Sequence, residues 1–165
     1  IKGSYEKLGF SKAYTTVCWM TCLTIPVLGA AILSDKYDTT LLVKIYVALP
    51  FLMGLTHYIS PDAMKSFAGL EDKEDEVGDS IMSWWHSLLI VWSILGYSLV
   101  DGSDVYEAVG RAAVALGLMA ADFNFIRKQT AALNLTDATK VIFPLVQLVI
   151  GAGLLKPAAV ASAAE

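Results

Sequence analysis

Residues 81–100 read IMSWWHSLLIVWSILGYSLV and contain no Asp, Glu, Lys or Arg. As an α-helix, a stretch of this length extends over about 30 Å, which is the thickness of the hydrocarbon core of a bilayer. Trp84 and Trp85 lie near the start of the stretch and Tyr97 near its end. Aromatic residues in these places are typical of the two membrane–water interfaces. The stretch therefore predicts a transmembrane helix.

Four further stretches have a similar character: residues 14–33, 41–59, about 105–126 and 141–155. The third of these crosses a membrane only if Glu107, Arg111 or Asp122 is shielded from lipid. The last extends over only about 22 Å, which is short for a span. We therefore predict an all-α integral membrane protein in a lipid bilayer, with about five transmembrane helices and four as the alternative. Residues 1–165 then form a single multi-span membrane domain.

Composition agrees with a lipid environment and argues against other classes of protein. Apolar residues make up 56% of the chain and charged residues only 17%, with a mean hydropathy of +0.57; soluble globular chains are roughly a quarter charged. The charges are concentrated between the predicted spans, above all in an acidic loop at 60–80 that contains EDKEDEVGD. Since the net charge is −4 and no basic tract exists, nucleic-acid binding has no electrostatic basis.

The chain starts at Ile1 rather than Met. Either an organelle-targeting peptide has been removed, which would explain this start, or the first residues of the chain are missing. Cys18 and Cys22 lie four residues apart in the first predicted span and would share one face of a helix. Because a disulfide at this spacing would be strained, we interpret both cysteines as buried thiols.

The two histidines of the chain, His57 and His86, are the first candidates for a cofactor site. The predicted topology places them at similar depth on consecutive helices that flank the acidic loop. A neutral imidazole in a membrane can ligate haem iron or the magnesium of a chlorophyll. The simpler interpretation is an interfacial histidine bonded to a neighbouring backbone group. Haem ligated by both histidines is less favoured. Two haem-ligating histidines at one level of consecutive helices would usually be accompanied by a second histidine pair.

Three charged residues mark the 105–126 stretch. Glu107 and Arg111 have the spacing of a helical ion pair, and Asp122 falls on nearly the same face eleven residues later. The resulting stripe predicts either a pigment or ion site, with Glu107 as a magnesium ligand, or an ion pair that pins this helix to a neighbour; we favour the second. Beside the stripe a ridge of small residues predicts close helix docking, within the chain or on another subunit: Gly110, Ala113, Gly117 and Ala121.

Catalytic signatures are missing from the sequence. It contains no Ser/His/Asp set, CxxC, HExxH, P-loop or Rossmann fingerprint. Because two histidines and two cysteines leave little from which to build an active site, we predict that the protein is not an enzyme.

Several segments together give the chain a resemblance to a known group of proteins. They are IKGSYEKLGF at the start, THYIS and SWWHSLL around the histidines, EAVGR at 107–111 and the tail KPAAVASAAE. In these features the chain resembles the nuclear-encoded accessory membrane subunits of photosystem I in red-lineage algae. The pigment motif of the light-harvesting antenna family is not matched, because Glu107 and Arg111 are four residues apart rather than five.

The resemblance implies a thylakoid location in a plastid, a structural role at a core–antenna contact, and bound chlorophyll and carotenoid. Its partners would be other membrane subunits and antenna proteins. The chemistry of the side chains nominates His57, His86 and Glu107 as magnesium ligands. Two alternatives remain: an accessory subunit of a respiratory complex in the mitochondrial inner membrane, without pigment, and a small solute or proton carrier that uses the Glu107–Arg111–Asp122 stripe.

Overall fold

The structure, a computed structural model, describes residues 10–34, 36–70 and 76–161. The α-helices in these ranges are α1 Lys12–Leu33, α2 Thr39–Ile59, α3 Pro61–Ala68, α4 Glu76–Val100, α5 Val105–Ala121 and α6 Asp137–Ala161. A π-helical turn, Asp122–Ile126, extends α5, and a 3₁₀ turn, Ala131–Leu133, precedes α6. The described ranges contain no strand, and the predicted all-α class is confirmed.

Four helices of the described part have the length and apolar composition to cross a membrane. They are α2, α4, α5 with its π-helical extension, and α6 as far as Leu155. This agrees with the alternative of four spans. The predicted span at 14–33 is helical within α1, but some of its side chains, including that of Cys22, lie outside the described residues. A fifth span therefore stays a prediction, while the Cys18 side chain is half-buried.

Helices α2 and α4 form a closely packed antiparallel pair. A Cβ added at Gly54 would lie 2.5 Å from the carbonyl oxygen of His86, so the two backbones almost touch at this point. At the far end of the pair the Lys44 ammonium binds the Asp101 carboxylate at 3.0 Å. The antiparallel arrangement brings the last turn of α2, which carries His57, beside the first half of α4.

The small-residue ridge of α5 docks on α6 of the same chain. A Cβ added at Gly110 would lie 3.0 Å from the Leu155 side chain, and one at Gly117 would lie 2.8 Å from that of Leu148. On the facing helix, a Cβ at Gly151 would lie 2.9 Å from the Gly110 carbonyl oxygen. The predicted docking is thereby confirmed, and it takes place within the chain.

The acidic segment 60–80, predicted as the loop between spans two and three, contains helix α3 and the first residues of α4. Pro61 occupies the first position of α3, where its missing N–H is not needed. Gly69 ends that helix with a φ of 76°, a conformation that glycine adopts without strain. The first turn of α4 carries Glu76 and Asp79, and acidic side chains are favourable there. Residues 71–75 lie outside the described part of the chain.

Large apolar side chains cover the outside of the bundle. Trp85 and Trp92 are 60% and 56% exposed, and they share the outer face of α4 with Ile81 and Leu88. Aqueous solvent would disfavour so large an apolar surface. Lipid or other membrane subunits therefore cover this face.

Candidate functional site

The two histidines predicted to lie at similar depth are in direct contact. The ring centroids of His57 and His86 are 4.2 Å apart, and the ring planes differ by 13°. Both side chains are buried, at 5% and 3% exposure. His86 lies ten residues into α4, about 15 Å from its start along the helix axis. The contact depends on the close approach of α2 and α4 at Gly54.

Backbone hydrogen bonding determines which nitrogen of His86 carries its proton. The Nδ1 atom lies 2.8 Å from the carbonyl oxygen of Met82, one helical turn earlier. A carbonyl oxygen can only accept, so Nδ1 is the donor. In the neutral ring Nε2 then keeps its lone pair, and no described residue forms a hydrogen bond with it. Metal-ligating histidines in proteins commonly have this arrangement, in which one nitrogen binds the metal and the other donates to a carbonyl.

His57 is held differently. Its Nε2 atom lies 3.3 Å from the hydroxyl oxygen of Ser83. A hydroxyl both donates and accepts, so this contact does not select one tautomer. The other nitrogen, Nδ1, is buried and has no hydrogen-bond partner among the described residues.

The stacked geometry limits what the histidine pair can bind. An imidazole ligates through a lone pair in the plane of its ring, and two nearly parallel planes separated by about 4 Å cannot both contain one metal ion. A haem held by both rings is excluded for the same reason, because its two nitrogens must point at each other across the iron. Within the described residues no group of three or more His, Cys, Asp or Glu side chains is placed to hold a metal ion. The pair can therefore offer only one ligand to any one metal ion.

A cavity of about 690 Å³ adjoins the histidine pair, within the size range of small-molecule and cofactor sites. It lies among the start of α1, helix α3, the first half of α4 and the segment before α6. Apolar side chains form much of its wall, among them Phe10, Met64 and Met82. Charged side chains such as Lys65, Asp79 and Lys128 also line it. The Lys65 ammonium is paired with the Asp79 carboxylate.

One further polar residue of this cavity, Gln129, was not predicted from the sequence as a site residue. Gln129 lines the cavity, and its side-chain oxygen Oε1 is buried without a hydrogen-bond partner among the described residues. Its backbone carbonyl, by contrast, accepts a hydrogen bond from the Ser80 hydroxyl. Two of the three partnerless buried side-chain atoms in the described chain, Gln129 Oε1 and His57 Nδ1, thus belong to residues that line the cavity. Neither atom has accessible surface, so a molecule in the cavity would reach it only after the side chain turned.

Glu107 lies apart from the histidines. It is in the first turn of α5, which follows the end of α4, whereas His86 is fourteen residues or about 21 Å before that end. The Glu107 carboxylate binds the Arg111 guanidinium at 2.5 Å, as the spacing predicts. The three nominated ligands therefore do not form one site, and a role for Glu107 as a separate magnesium ligand stays a prediction.

The predicted stripe of Glu107, Arg111 and Asp122 does not form a single network. Asp122 begins the π-helical turn and accepts hydrogen bonds from Arg127 Nε and the Tyr58 hydroxyl, each at 2.7 Å. The Arg127 guanidinium also lies over the Tyr58 ring, with 4.2 Å between its central carbon and the ring centroid. Asp122 therefore pins the end of α5 to α2. The stripe therefore carries two separate clusters, Glu107 with Arg111 and Asp122 with Arg127 and Tyr58.

Comparison of the chain with protein-family models, with curated proteins and with solved structures gives no match.

Proposed function

We propose that the protein is a non-catalytic accessory subunit of a large photosynthetic membrane complex of the photosystem I type, in the thylakoid membrane of a plastid. Its role there is structural, at a contact between the core and the antenna proteins. It also holds a chlorophyll at the cavity beside the histidine pair.

The observation that carries the proposal is the state of His86. Its Nδ1–H is bound by the Met82 carbonyl at 2.8 Å, which leaves Nε2 with a lone pair at a buried position beside a cavity. A neutral imidazole nitrogen is a suitable axial ligand for magnesium in a macrocycle, and such a macrocycle requires only one ligand from the protein. His86 Nε2 can provide that ligand.

His57 then has a positioning role. Its ring covers one face of the His86 ring, and the Ser83 contact at 3.3 Å restricts its own rotation. This stacking contact and the hydrogen bond to the Met82 carbonyl keep the His86 ring from turning away from its ligand. Bound chlorophyll would absorb light and exchange excitation energy with neighbouring pigments.

The outer surface of the bundle supports the structural part of the proposal. The exposed tryptophans Trp85 and Trp92 and the apolar face around them suit contact with other membrane subunits or lipid. A second, apolar groove of about 300 Å³ lies between α1, α2 and α3 and is lined by residues such as Leu52, Met53 and Phe67. It is where we propose the carotenoid, which needs only apolar contacts.

The experiment that tests the proposal begins with the absorption spectrum of the complex that contains this chain, purified under mild detergent. Chlorophyll bands are expected. A complex that contains the chain but shows no chlorophyll would contradict the proposal and favour the respiratory alternative.

The role of His86 as the magnesium ligand is tested with His86→Leu, which removes Nε2 and places an apolar side chain at this buried position. We expect loss of one chlorophyll per chain by pigment extraction, with helix content unchanged by circular dichroism. Ser87→Ala is the matched control, because Ser87 is equally buried but its hydroxyl binds only the Ser83 carbonyl of the same helix. An unchanged pigment count in His86→Leu would refute the assignment.

A further inference from the structure

The hydroxyl group of Ser83 lies beside the histidine pair and differs from those of neighbouring serines. Ser80 and Ser87 each donate to the carbonyl oxygen four residues earlier in α4. Ser83 forms no such bond with a described residue, and its hydroxyl contacts His57 Nε2 at 3.3 Å. We infer that Ser83 donates a hydrogen bond to a carbonyl oxygen at the rim of a macrocycle held by His86. This inference rests on the proposed function and adds a second binding residue to its site.

The first support is the position of Ser83 relative to the ligating nitrogen. Ser83 precedes His86 by three residues in α4, and side chains at this spacing are neighbours on a helix surface, with about 5–6 Å between their Cβ atoms. Both residues line the cavity. A macrocycle lies across the bond from Nε2 to its metal, so its rim extends past residues one turn away on the same helix. A carbonyl on that rim is therefore within reach of the Ser83 hydroxyl.

The second support is the single proton of the Ser83 hydroxyl. If Ser83 donates it to His57 Nε2, the proton of the neutral His57 ring lies on Nδ1, which is buried and has no partner among the described residues. A buried N–H group without a partner is disfavoured, and more so than a buried acceptor with an unused lone pair. An acceptor in the cavity permits the other arrangement. His57 Nε2–H then donates to the Ser83 oxygen, and the Ser83 proton is donated to the ligand.

The third support is the state of other donors on the cavity wall, such as Lys65, Ser80 and Lys128. The Lys65 ammonium is bound by the Asp79 carboxylate, and the Ser80 hydroxyl is bound by two backbone carbonyl oxygens. Lys128 is exposed and lies outside α4. Ser83 is only 4% exposed, so a hydrogen bond from its hydroxyl meets less competition from water. Lys128 is therefore the rival donor that the experiment must exclude.

The test compares resonance Raman spectra of the pigment in the intact complex carrying the wild-type chain, Ser83→Ala or Ser83→Thr. Alanine removes the donor, so we expect a carbonyl stretching band to move to higher wavenumber, with pigment content retained because His86 is unchanged. Threonine retains a hydroxyl, and its band should stay at the wild-type wavenumber. A shift of equal size in both variants would mean that packing rather than the hydrogen bond determines the band, and would overturn the inference.

Ser87→Ala is the matched control, since Ser87 is buried on the same helix but does not line the cavity, and its hydroxyl binds the Ser83 carbonyl. The carbonyl band of the pigment should not move in this variant. Lys128→Met should also leave the band in place, and a shift there with none in Ser83→Ala would assign the bond to Lys128 instead. An unchanged band in Ser83→Ala, in a complex that still contains the pigment, would overturn the inference and leave the proposed function intact. Absence of chlorophyll from the wild-type complex would overturn both.

Discussion

Replacing Gly54 by Ala tests the contact on which the histidine pair depends. The added Cβ would lie 2.5 Å from the His86 carbonyl oxygen and 2.7 Å from the Cγ1 atom of Ile90. Neither atom is the mobile end of a flexible side chain, so α2 and α4 must separate. Overpacking of this kind destabilises a protein by about 1–3 kcal/mol. The same substitution also gains about 0.5–1 kcal/mol, because Ala favours a helix over Gly.

Gly153→Ala separates these two effects. Gly153 is helical, and a Cβ there meets nothing within 4 Å, so this variant gains helix propensity without overpacking. Gly54→Ala should therefore be less stable than Gly153→Ala by about 1–3 kcal/mol in reversible unfolding of detergent-solubilised protein, followed by circular dichroism. Equal free energies of unfolding in the two variants would refute the close approach of α2 and α4.

Three further substitutions test other contacts by the same unfolding measurement. Gly151→Ala places a Cβ 2.6 Å from the Val114 side chain and 2.9 Å from the Gly110 carbonyl oxygen. Its free energy of unfolding should be about 1–3 kcal/mol lower than that of Gly153→Ala, two residues away on the same helix. Equal free energies would contradict the close contact between α5 and α6. Asp122→Asn removes the charge that binds Arg127 and should lower the free energy of unfolding by about 1.5–3 kcal/mol, since hydrogen bonds to charged groups are the stronger ones. An unchanged free energy would mean that Asp122 does not hold α5 against α2. Lys44→Met breaks a pair whose side chains are 33% and 53% exposed, so little or no loss of stability is expected. A clear loss would contradict the description of the pair as exposed.

The sequence predicted the fold class and the helical ranges because the uncharged stretches are long and the charges lie between them. It also predicted that His57 and His86 lie at similar depth, since consecutive spans are antiparallel. Their stacking could not be predicted, because it depends on how far each helix is rotated about its axis. That rotation is set by tertiary contacts such as the one at Gly54.

Local structure explains two features that the sequence leaves open. The α-helical period holds as far as Asp122, whose N–H donates to the Leu118 carbonyl. Because Asp122 lies about 16 Å along the axis from Arg111, it does not join the Glu107–Arg111 pair and instead binds Arg127 and Tyr58. The acidic segment at 60–80 contains the short helix α3, for which Pro61 and Gly69 are typical boundary residues.

Gln129 was not predicted as a site residue. It lies between the π-helical turn and the 3₁₀ turn, where no periodicity indicates which way a side chain points. Its place in the cavity follows from the contact between Ser80 and its backbone, which joins residues distant in sequence. A lone glutamine in such a segment carries no local signal that it lines a cavity.

The most direct test of the account is a density map of the native membrane complex at a resolution that shows pigments. The account predicts a macrocycle beside α4 with its central magnesium at ligand distance from His86 Nε2. A well-ordered map of this chain with no macrocycle at His86 would contradict it.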